Sequence, residues 1–476
     1  MPLSPIRSIV ELLSRDSRAR AGAEPAISYL LDLLYFGEFA ILEQVASGVP
    51  YDHVNLIGRK GPATGQPLWL IANLGTSVDA VPAKWNALGG DPFSARLDTE
   101  NARVIGLGAH GGKADLALKI AAASRFATEA LHRPIYVAAL SGEEAHGSGA
   151  RMLLSPSDRG TAIIHAPTGL RPWTDHPGCV VLRFELVRKI RHRRMPPHAG
   201  FFEIDILGTS AHAQVTTPFI DDALARGLEV LSALRAAGDT RVLSIDGGES
   251  ANRIPGRCTL RVATGYDELP PLERIDRRIS WKPIEDGTAL PFPIDPLLAA
   301  WRTARDAGVL AIEGKLGHLR NAPLARPTRP IWTGRLVSAR DAIAGTVMLW
   351  TGPGVESGEL CERFAAAVGQ ALKGEDELEI GVEVVQDRPA FAGSEGAEGL
   401  VADVTAALRA SRLAPEVGAG CLTSDAGLFR LHGLDAIAFG AGGPIEELYQ
   451  DDESIAVAKL EAAGAFYEQL IARMCT

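Results

Sequence analysis

Two adjacent carboxylates, Glu143 and Glu144, are the side chains of this sequence best placed to move a proton. They lie in the segment SGEEAHGSGA, residues 141–150, directly after an apolar stretch that is typical of a strand. Without a metal ion the two charges repel each other, which raises the pKa of one carboxyl group. A proton donor then stands beside a proton acceptor, and this pairing suits general acid–base catalysis.

A second apolar stretch runs out into the segment SVDAVP, residues 77–82. Its layout is that of a metal-binding loop in which a histidine stands two residues before an aspartate. Here Ser77 occupies the histidine position, while Asp79 is present. Because zinc needs three or four ligands, this loop alone predicts no metal site.

The glycine-rich segment GLGAHGGK, residues 106–113, has the glycines and the lysine of a phosphate-binding loop. It lacks the spacing of the P-loop, so nucleotide binding is disfavoured. Lys113 is instead expected in the first turn of a helix, as a solvated surface lysine.

The composition bounds the class of protein. The chain has 476 residues, of which 46% are hydrophobic and 22% charged, as in soluble globular proteins of two or three domains. The net charge of −10 argues against a nucleic-acid partner. Five cysteines without pair spacing argue against a disulfide framework or a zinc finger, and predict a cytoplasmic location. The most apolar N-terminal run, residues 26–42, is too short and too charged to span a membrane, and no cleavable signal precedes it.

Apolar strands and helices alternate over both ends of the chain, which predicts an α/β fold with a mostly parallel sheet covered by helices on both faces. Two of the strands, residues 67–74 and 436–439, are expected in one sheet although they are far apart in the chain. The other predicted elements are strands at 134–140 and 162–165 and helices at 6–14, 26–46, 113–132, 396–412 and 454–474.

Residues 198–386 follow a different pattern, strand–helix–strand–strand–helix–strand. This order predicts a small antiparallel sheet with two helices on one face. Residues 265–344 are rich in proline and show no clear period, so they are expected to form a long irregular excursion. The predicted organisation is therefore an α/β domain of residues 1–197 and 387–476, with an α+β lid domain of residues 198–386 inserted in it.

Seven segments of the chain resemble, in order and spacing, those of the zinc aminoacylase/carboxypeptidase family, which includes acetylornithine deacetylase, succinyl-diaminopimelate desuccinylase and carboxypeptidase G. The resemblance covers most of the chain outside the irregular excursion. The matching segments are residues 77–82, 98–113, 141–150, 166–168, 208–213, 251–255, and 423–426 with 439–442.

The resemblance implies an enzyme acting on the amide bond of a small peptide-like or N-acyl amino acid substrate. In the family two zinc ions lie at the carboxyl edge of the sheet, a glutamate activates water, and the lid domain contacts the substrate and often a second copy. Glu143 falls in the position of this base and Glu144 in that of a zinc ligand. Asp79 falls in the position of the aspartate that, in the family, orients the first histidine ligand; that histidine is missing here. His212 falls in the position that stabilises the developing oxyanion, and Asn252 in that of a substrate ligand. A homodimer through the lid domain is a further implication.

Four of the five zinc ligands of the family are replaced. They fall on Ser77, Gly111, Ala166 and Tyr449, so that only Glu144 remains. One carboxylate with a serine does not hold zinc tightly, and an ordinary dinuclear zinc centre is disfavoured.

The substrate side of the site is changed as well. The arginine that clamps the substrate carboxylate in the family falls on Trp350, which indicates a changed ligand. Arg253 and Arg261 are candidates to compensate, although each is expected to be a solvated surface charge. The predicted substrate-binding residues are Asn252, Ser77, Asp79, Trp350 and Tyr449.

Three histidines lie within two residues of the replaced ligands: His110, His146 and His165. With Asp79 and Glu144 they define an altered single-metal site as the alternative. The primary expectation is that no cofactor is held tightly, with zinc present at most at low occupancy.

Three functions remain open from the sequence. The first is a metal-independent or metal-altered enzyme that hydrolyses, transfers or condenses acyl groups through Glu143, Glu144 and His212. The second is a non-catalytic relative that binds a small molecule or a partner enzyme. The third is an ordinary zinc hydrolase whose ligand register has been misassigned. Retention of the base and of the lid histidine favours the first.

Overall fold

The structure is a computed structural model. It describes residues 4–17, 24–46, 53–76, 85–142, 147–154, 160–189, 200–209, 211–213, 221–265, 268–269, 277–284, 293–317, 331–393, 398–444, 447–448 and 450–476.

The strands of the described chain are β1 (Ala40–Ala46), β2 (His53–Lys60), β3 (Leu68–Asn73), β4 (Arg96–Asp98), β5 (Arg103–Ile105), β6 (Ile135–Leu140), β7 (Thr161–His165), β8 (Trp173–Asp175), β9 (Gly178–Arg188), β10 (Gly200–Leu207), β11 (Ala211–His212), β12 (Thr240–Gly247), β13 (Arg253–Ile254), β14 (Arg257–Thr264), β15 (Ile279–Pro283), β16 (Ile331–Ala339), β17 (Ala342–Thr351), β18 (Leu378–Arg388), β19 (Gly418–Ala419), β20 (Asp435–Phe439) and β21 (Ser454–Ala456).

The helices are α1 (Pro5–Leu13), α2 (Glu24–Phe36), α3 (Gly112–Ala123), α4 (Ser148–Leu153), α5 (Ala223–Ala237), α6 (Asp295–Glu313), α7 (Ser357–Ala371), α8 (Glu398–Ala410), α9 (Ala426–Leu431) and α10 (Val457–Cys475). None of the helices in the described ranges is both long enough and apolar enough to cross a membrane.

The described residues divide into two compact units. The first holds those of 1–179 and 386–476, and the second those of 180–317 and 327–385. The sheet of the first unit has the strand order β1-β2-β6-β3-β7-β20-β8-β19. Strands β6, β3, β7 and β20 run parallel to one another, and β1 and β2 continue the sheet antiparallel. Thus β3 and β20 lie in one sheet, as predicted.

Strand β3 shows why the first sheet is covered on both faces. Leu68, Leu70 and Ala72 pack into one apolar cluster with residues of α1, α2, α3, α8 and α10. Trp69 and Ile71 point to the opposite face and pack into a second cluster with residues of α4 and α9. Because alternate side chains of a strand face opposite sides, a strand buried on both faces is apolar throughout. The predicted α/β fold with helices on both faces is confirmed.

The second unit contains an eight-stranded sheet with the order β15-β10-β14-β12-β16-β17-β9-β18. The pairs β10–β14, β10–β15, β12–β14, β12–β16 and β16–β17 are antiparallel. Helices α5, α6 and α7 share one apolar cluster with alternate residues of the strands, which include Leu182, Phe184 and Leu186 of β9. The helices therefore cover one face of this sheet.

Two predictions about the second unit differ from the structure. The boundary expected at residue 197 lies too late, because β9 pairs within the second sheet. The stretch expected to be irregular, residues 265–344, contains β15, α6 and β16. Helix α6 has buried residues at Leu297, Trp301, Ala304, Gly308 and Ile312, and proline stands in its first turn, where it does not disturb a helix.

The predicted helix at residues 26–46 is also wrong beyond Phe36, where α2 ends and a turn leads into the strand β1. Gly37 is packed so closely that an added Cβ would lie 2.4 Å from Ser124 Oγ. Glu38 follows with φ of 62°, a left-handed conformation that ends the helix. Residues 113–132 are α-helical only to Ala123, and a single 3₁₀ turn follows at Thr128–Ala130. The segment expected as one helix at 454–474 begins as the short strand β21.

Candidate functional site

The parallel strands of the first unit end at one edge of the sheet, called here the carboxyl edge. Asn73, Leu140, His165 and Phe439 are the last residues of β3, β6, β7 and β20. The loops that carry most of the predicted site residues follow these positions. Six of the predicted residues lie outside the described residues, and their roles stay predictions: Ser77, Asp79, Glu143, Glu144, His146 and Tyr449.

The segment of residues 141–150, called here the double-glutamate loop, is held near both of its ends by the buried side chain of Asn55. Asn55 Oδ1 accepts the N–H of Ser141 at 3.2 Å, and its Nδ2 donates to the carbonyl of Gly149 at 2.8 Å. Gly149 approaches so closely that an added Cβ would lie 2.1 Å from the carbonyl oxygen of Ser141. The stems of this loop are therefore fixed by β2, a contact that the sequence did not indicate.

The glycine-rich segment before α3 serves close packing. An added Cβ on Gly112 would lie 2.0 Å from the carbonyl oxygen of Asn73, so α3 can begin against the end of β3 only with glycine here. Lys113 lies in the first turn of α3, as predicted, but it is buried and donates to the carbonyl of Arg15 at 2.9 Å. Burial lowers the pKa of Lys113 to about 8. The expectation of a solvated lysine is wrong.

His110 is buried, and its ring hydrogen-bonds to the backbone of two other segments, at Gly443 and at Ser454. Its Nδ1 accepts the N–H of Gly443 at 3.1 Å, so Nε2 carries the hydrogen and donates to the carbonyl of Ser454 at 3.0 Å. Burial lowers the pKa of His110 to about 4, and the ring is neutral at pH 7. Because both ring nitrogens bond to backbone groups, His110 does not fit the altered metal site to which it was assigned.

Glu453 adds two hydrogen bonds to this segment. Its buried carboxylate accepts the backbone N–H of His110 at 2.8 Å and that of Gly108 at 3.3 Å. One feature of the sequence pointed to Glu453, namely the acidic run of residues 451–453 directly before β21. That run did not show which carboxylate turns inward.

The positions at which the resemblance places two metal-binding acids carry no side-chain donor. Gly111 lines a cavity of about 10 Å³, together with His165 and Asp115, which is room for about one water molecule. Ala166 is buried at the end of β7. Burial is the main reason that the pKa of His165 is lowered, and its ring lies 3.1 Å from where a Cβ on Gly440 would stand.

A buried ionic cluster lies beside this cavity. Lys119 Nζ is 2.6 Å from Asp115 Oδ2 and donates to the carbonyl of Ile71 at 2.8 Å and to that of Ile163 at 3.3 Å. The hydroxyl of Tyr467 donates to Asp115 Oδ1 at 2.6 Å. Burial lowers the pKa of Lys119, which the charge of Asp115 opposes. The cluster joins α3 to β3, β7 and α10, and it was not predicted.

Asp425 is a carboxylate at the carboxyl edge to which the sequence assigned no role. Its Oδ2 accepts from Asn73 Nδ2 at 3.0 Å, and its Oδ1 lies 3.5 Å from Arg388 Nε. A Cβ on Gly147 would stand 3.7 Å from Asp425 Oδ1. Asp425 therefore lies near Gly147, which follows Glu143 and Glu144 in the sequence.

Ser424 and His176 form a second buried pair. His176 Nδ1 lies 2.9 Å from the carbonyl of Pro177, which only accepts, so Nδ1 carries the hydrogen. Ser424 Oγ therefore donates to His176 Nε2 at 2.9 Å, and it accepts the N–H of Ala426 at 3.2 Å. Burial lowers the pKa of His176 to about 4. With both side chains buried, the pair fixes the loop before α9.

In the second unit, β11 and β13 pair so that His212 lies opposite Arg253. Burial, followed by the charge of Arg253, lowers the pKa of His212 to about 4. Arg253 is buried, so the prediction of a solvated charge is wrong for it. The prediction holds for Arg261, whose half-exposed guanidinium lies 2.9 Å from Glu203.

The two other predicted substrate-binding residues within the described chain are Asn252 and Trp350. Asn252 Oδ1 accepts the hydroxyl of Ser250 at 2.8 Å, in the turn that leads into β13. This hydrogen bond is of the kind by which polar side chains stabilise a turn. Trp350 is buried near the end of β17. Their contacts with substrate stay predictions.

The described residues do not fit a dinuclear zinc centre. Among them no group of three or more His, Cys, Asp or Glu side chains could hold a metal ion. Gly111 and Ala166 offer no donor, and the ring nitrogens of His110 are occupied by backbone groups.

Comparisons with known proteins agree on one family. A sequence profile of the group described as peptidase family M20/M25/M40 matches residues 74–473. An acetylornithine deacetylase of Vibrio cholerae is 30% identical over 268 residues, which cover 55% of this chain and 65% of that protein. An acetylornithine deacetylase of Buchnera aphidicola is 28% identical over 158 residues, which cover 33% of this chain and 39% of that protein. The matched stretches thus span less than two thirds of these relatives.

Solved structures with the same fold cover nearly the whole chain. The dipeptidase Dug1p of Saccharomyces cerevisiae has a TM-score of 0.57 at 11% identity, covering 98% of this chain and 95% of its own. The metallo-carboxypeptidase Sso-CP2 of Sulfolobus solfataricus has a TM-score of 0.56 at 14% identity, covering 99% of each chain. Human carnosine dipeptidase 1 has a TM-score of 0.54 at 12% identity, covering 98% and 97%. At these identities the likeness shows the fold alone.

Proposed function

Because this chain belongs to peptidase family M20/M25/M40, we propose that it acts on the amide bond of a small N-acyl amino acid or peptide-like substrate, without the dinuclear zinc centre. The acetylornithine deacetylases among its relatives support a substrate of this class. Attack by water on the amide carbonyl releases the amine and gives hydrolysis, whereas attack by a second amine releases the first one and gives acyl transfer. Condensation is the reverse of hydrolysis: an amine attacks a carboxyl group, and water leaves.

The proposal rests on the residue types at Gly111 and Ala166, two positions at which the family has metal-binding acids. These positions, at the carboxyl edge, provide no side-chain ligand, and the space beside Gly111 is the size of one water molecule. A catalyst at this edge must therefore rely on the carboxylates that are present in the neighbouring loops.

Proton transfer is assigned to Glu143, with Glu144 beside it. Asp425, held by Asn73 and Arg388, is a further carboxylate and lies close to Gly147. Nearby negative charge raises the pKa of a glutamate, so that one member of the pair carries a proton while the other accepts one. A positioned acid–base pair of this kind contributes about 10²–10⁴-fold to a rate.

His212 is assigned the role of donor to the oxyanion that develops on the substrate carbonyl. Its lowered pKa makes it a neutral imidazole at pH 7. A neutral ring N–H donates a hydrogen bond to such an oxygen without needing a net charge.

A binding function is the second candidate. The polar groups described at the carboxyl edge largely satisfy one another, as in the pairs His110–Ser454 and Ser424–His176. A relative that only binds its ligand would show this internal pairing too. Binding of a ligand without any turnover of it would distinguish this binding function from catalysis.

The test uses the purified full chain with a panel of N-acetyl amino acids, N-acetyl-L-ornithine among them, and dipeptides. Release of amine is measured before and after chelation, and zinc is counted by elemental analysis. We expect far less than two zinc ions per chain and turnover that survives chelation. Two tightly held zinc ions, with activity that chelation abolishes and zinc restores, would show that the ligand register is wrong.

A matched variant sharpens this test. Ser77→His, Gly111→Asp, Ala166→Glu and Tyr449→His together restore the four replaced ligands. An added Cβ on Gly111 would lie 3.1 Å from the carbonyl oxygen of Gly108, so the neighbouring backbone must give way by a few tenths of an ångström. The fourfold variant should gain tightly bound zinc, whereas the threefold variant that keeps Gly111 should gain less.

A further inference from the structure

A buried polar junction joins the N-terminal part of the chain to the exit of β3. Residues 15–17, called here the N-terminal strap, come shortly after α1 and hydrogen-bond to the residues that follow β3. Ser17 Oγ donates to the carbonyl of Leu74 at 2.8 Å and lies 2.7 Å from Thr76 Oγ1. The N–H of Thr76 donates to the carbonyl of Ser17 at 3.3 Å. Two short segments that are far apart in the sequence are thus joined by hydrogen bonds.

The hydroxyl of Ser17 is the centre of this junction. Because its one hydrogen goes to the carbonyl of Leu74, which only accepts, the hydrogen between the two hydroxyls comes from Thr76. Ser17 is 3% exposed and Thr76 8% exposed, so water hardly competes for these groups. Removing one partner of a buried hydrogen bond leaves the other unsatisfied, which is unfavourable. The hydroxyl of Ser17 therefore fixes both the carbonyl of Leu74 and the side chain of Thr76.

Lys113 joins the strap to a second element. Its Nζ donates to the carbonyl of Arg15 at 2.9 Å, and its side chain is buried. Lys113 stands in the first turn of α3, and this helix begins against the end of β3. The strap therefore bridges the exit of β3 and the start of α3, which meet at the carboxyl edge.

Packing of the neighbouring helices sets the position of the strap. Ile9, Leu12 and Leu13 of α1 have no exposed surface and belong to the apolar cluster on one face of the first sheet. The guanidinium of Arg15 lies 4.4 Å from the centre of the Tyr29 ring, on α2. Because the strap continues a helix that is part of the core, the core determines where Ser17 lies.

The segment that the strap supports leads directly to predicted site residues. Thr76 is followed by Ser77, and Asp79 comes two residues later; both are among the predicted substrate-binding residues. Because the chain is continuous, the position of Thr76 fixes the starting point of this stretch. The strap itself precedes residues 74–473, the part of the chain that the family profile matches. The family's own motifs therefore do not account for it.

Given the proposed function, and with Ser77 and Asp79 as predicted ligands of the substrate, we propose that Ser17 is a positioning residue for substrate binding. It acts through Leu74 and Thr76, by fixing the point from which the two predicted ligands extend. A misplacement of about 1 Å can cost roughly 10²-fold in rate. The hydrogen bond of Lys113 remains when the Ser17 hydroxyl is removed, so the expected effect is smaller, about tenfold.

The kinetic test uses two variants that each remove one hydroxyl of the junction, Ser17→Ala and Thr76→Val. Each should raise KM about tenfold and leave kcat within about twofold, because contacts that are equal in the ground state and the transition state act on KM alone. The double variant should be little worse than Ser17→Ala, since both changes remove the same bond between the hydroxyls and such effects do not add.

Thr76→Ser is the conservative variant, because it keeps the hydroxyl, and its KM should stay near that of the parent chain. Ser14→Ala is the matched control. The hydroxyl of Ser14 donates to the carbonyl of Val10 at 2.9 Å, within α1 and away from β3, so its loss should leave KM unchanged. If circular dichroism shows that Ser17→Ala does not fold, the pair Thr76→Val and Thr76→Ser gives the same comparison.

Hydrogen exchange measures the support itself, without any substrate. The amide of Thr76 should exchange faster in Ser17→Ala than in the parent chain and in Ser14→Ala, while the amides of β6 and β7 keep their protection. Unchanged exchange at Thr76 shows that Ser17 has no positioning role. So does an equal rise of KM in Ser17→Ala and Ser14→Ala.

A parent chain that turns over no member of the substrate panel overturns the proposed function instead. The affinity for N-acetyl-L-ornithine, measured by calorimetry, then takes the place of KM. Affinity that falls about tenfold in Ser17→Ala and stays unchanged in Ser14→Ala supports the positioning role. Equal affinity in the parent chain and in Ser17→Ala overturns it.

Discussion

Lys119 and Asp115 form an ion pair of 2.6 Å in which the lysine side chain has no exposed surface and the carboxylate almost none. Their spacing of four residues on α3 is that of an ordinary surface pair. The carbonyls of Ile71 and Ile163 and the hydroxyl of Tyr467 complete its hydrogen bonding. A buried pair is costly to break from one side, because the remaining charge is left without compensation.

Lys119→Met should therefore lower the free energy of unfolding by about 3–5 kcal/mol. The matched control is Arg363→Met, which breaks the exposed pair of Arg363 with Glu359 at the same spacing on α7. This change should cost about 0.5 kcal/mol or less. Urea unfolding measures both. Equal costs would show that burial of the charge does not set the penalty.

Gly112→Ala should destabilise the chain because its new methyl group would lie 2.0 Å from the carbonyl oxygen of Asn73, a backbone atom. Either α3 or the end of β3 must shift, and overpacking of this kind costs about 1–3 kcal/mol. Gly369→Ala on α7 is the control, since no atom lies within 4 Å of its added Cβ. It should stabilise the chain by about 0.5–1 kcal/mol, the helical advantage of alanine over glycine. A stable Gly112→Ala variant would contradict the packing of α3 on β3.

The stability of the chain should fall as the pH falls from neutral toward 4. Burial depresses the pKa of His110, His176 and His212 to about 4, from an ordinary value of 6.5. Between these values the unfolded chain binds more protons than the folded one, so the free energy of unfolding decreases with falling pH. Each histidine contributes a slope of about 1.4 kcal/mol per pH unit.

His110→Gln should lower this slope by about 1.4 kcal/mol per pH unit, which corresponds to one proton. Urea unfolding at several pH values gives the slopes. A slope that is the same in the parent and in His110→Gln would mean that His110 titrates alike in the folded and unfolded chains.

His212→Ala should lower turnover by about 10²–10³-fold, the effect of losing one oxyanion donor. Glu143→Gln should lower it by about 10²–10⁴-fold if this carboxylate moves the proton. Glu375→Gln, at an exposed position before β18, is the control for a lost carboxylate and should not change turnover. Unchanged activity in both site variants would place the active site elsewhere.

Much of the first sheet could be predicted because burial on both faces makes strands such as β3 apolar throughout. Helix α6 was missed because its proline suggested a loop, whereas the apolar spacing from Leu297 to Ile312 held the helical signal. The site was harder to predict. Whether His110 binds a metal or clamps a loop depends on Gly443 and Ser454, more than 300 residues away in the chain. Nothing local distinguishes Lys119 from a surface lysine, because the groups that bury it lie on β3, β7 and α10.

The order of the strands has a consequence for synthesis on the ribosome. Strand β7 pairs on one side with β3 and on the other with β20, where Ile163 meets Ile437. The sheet of the first unit can be completed only after residue 439 has left the ribosome. All strands of the second sheet lie within residues 178–388 and emerge earlier. While the whole second unit is synthesised, the edge of β7 that will pair with β20 therefore has no partner strand. Because an unpaired strand edge promotes aggregation, we expect chaperone protection to matter most in this interval.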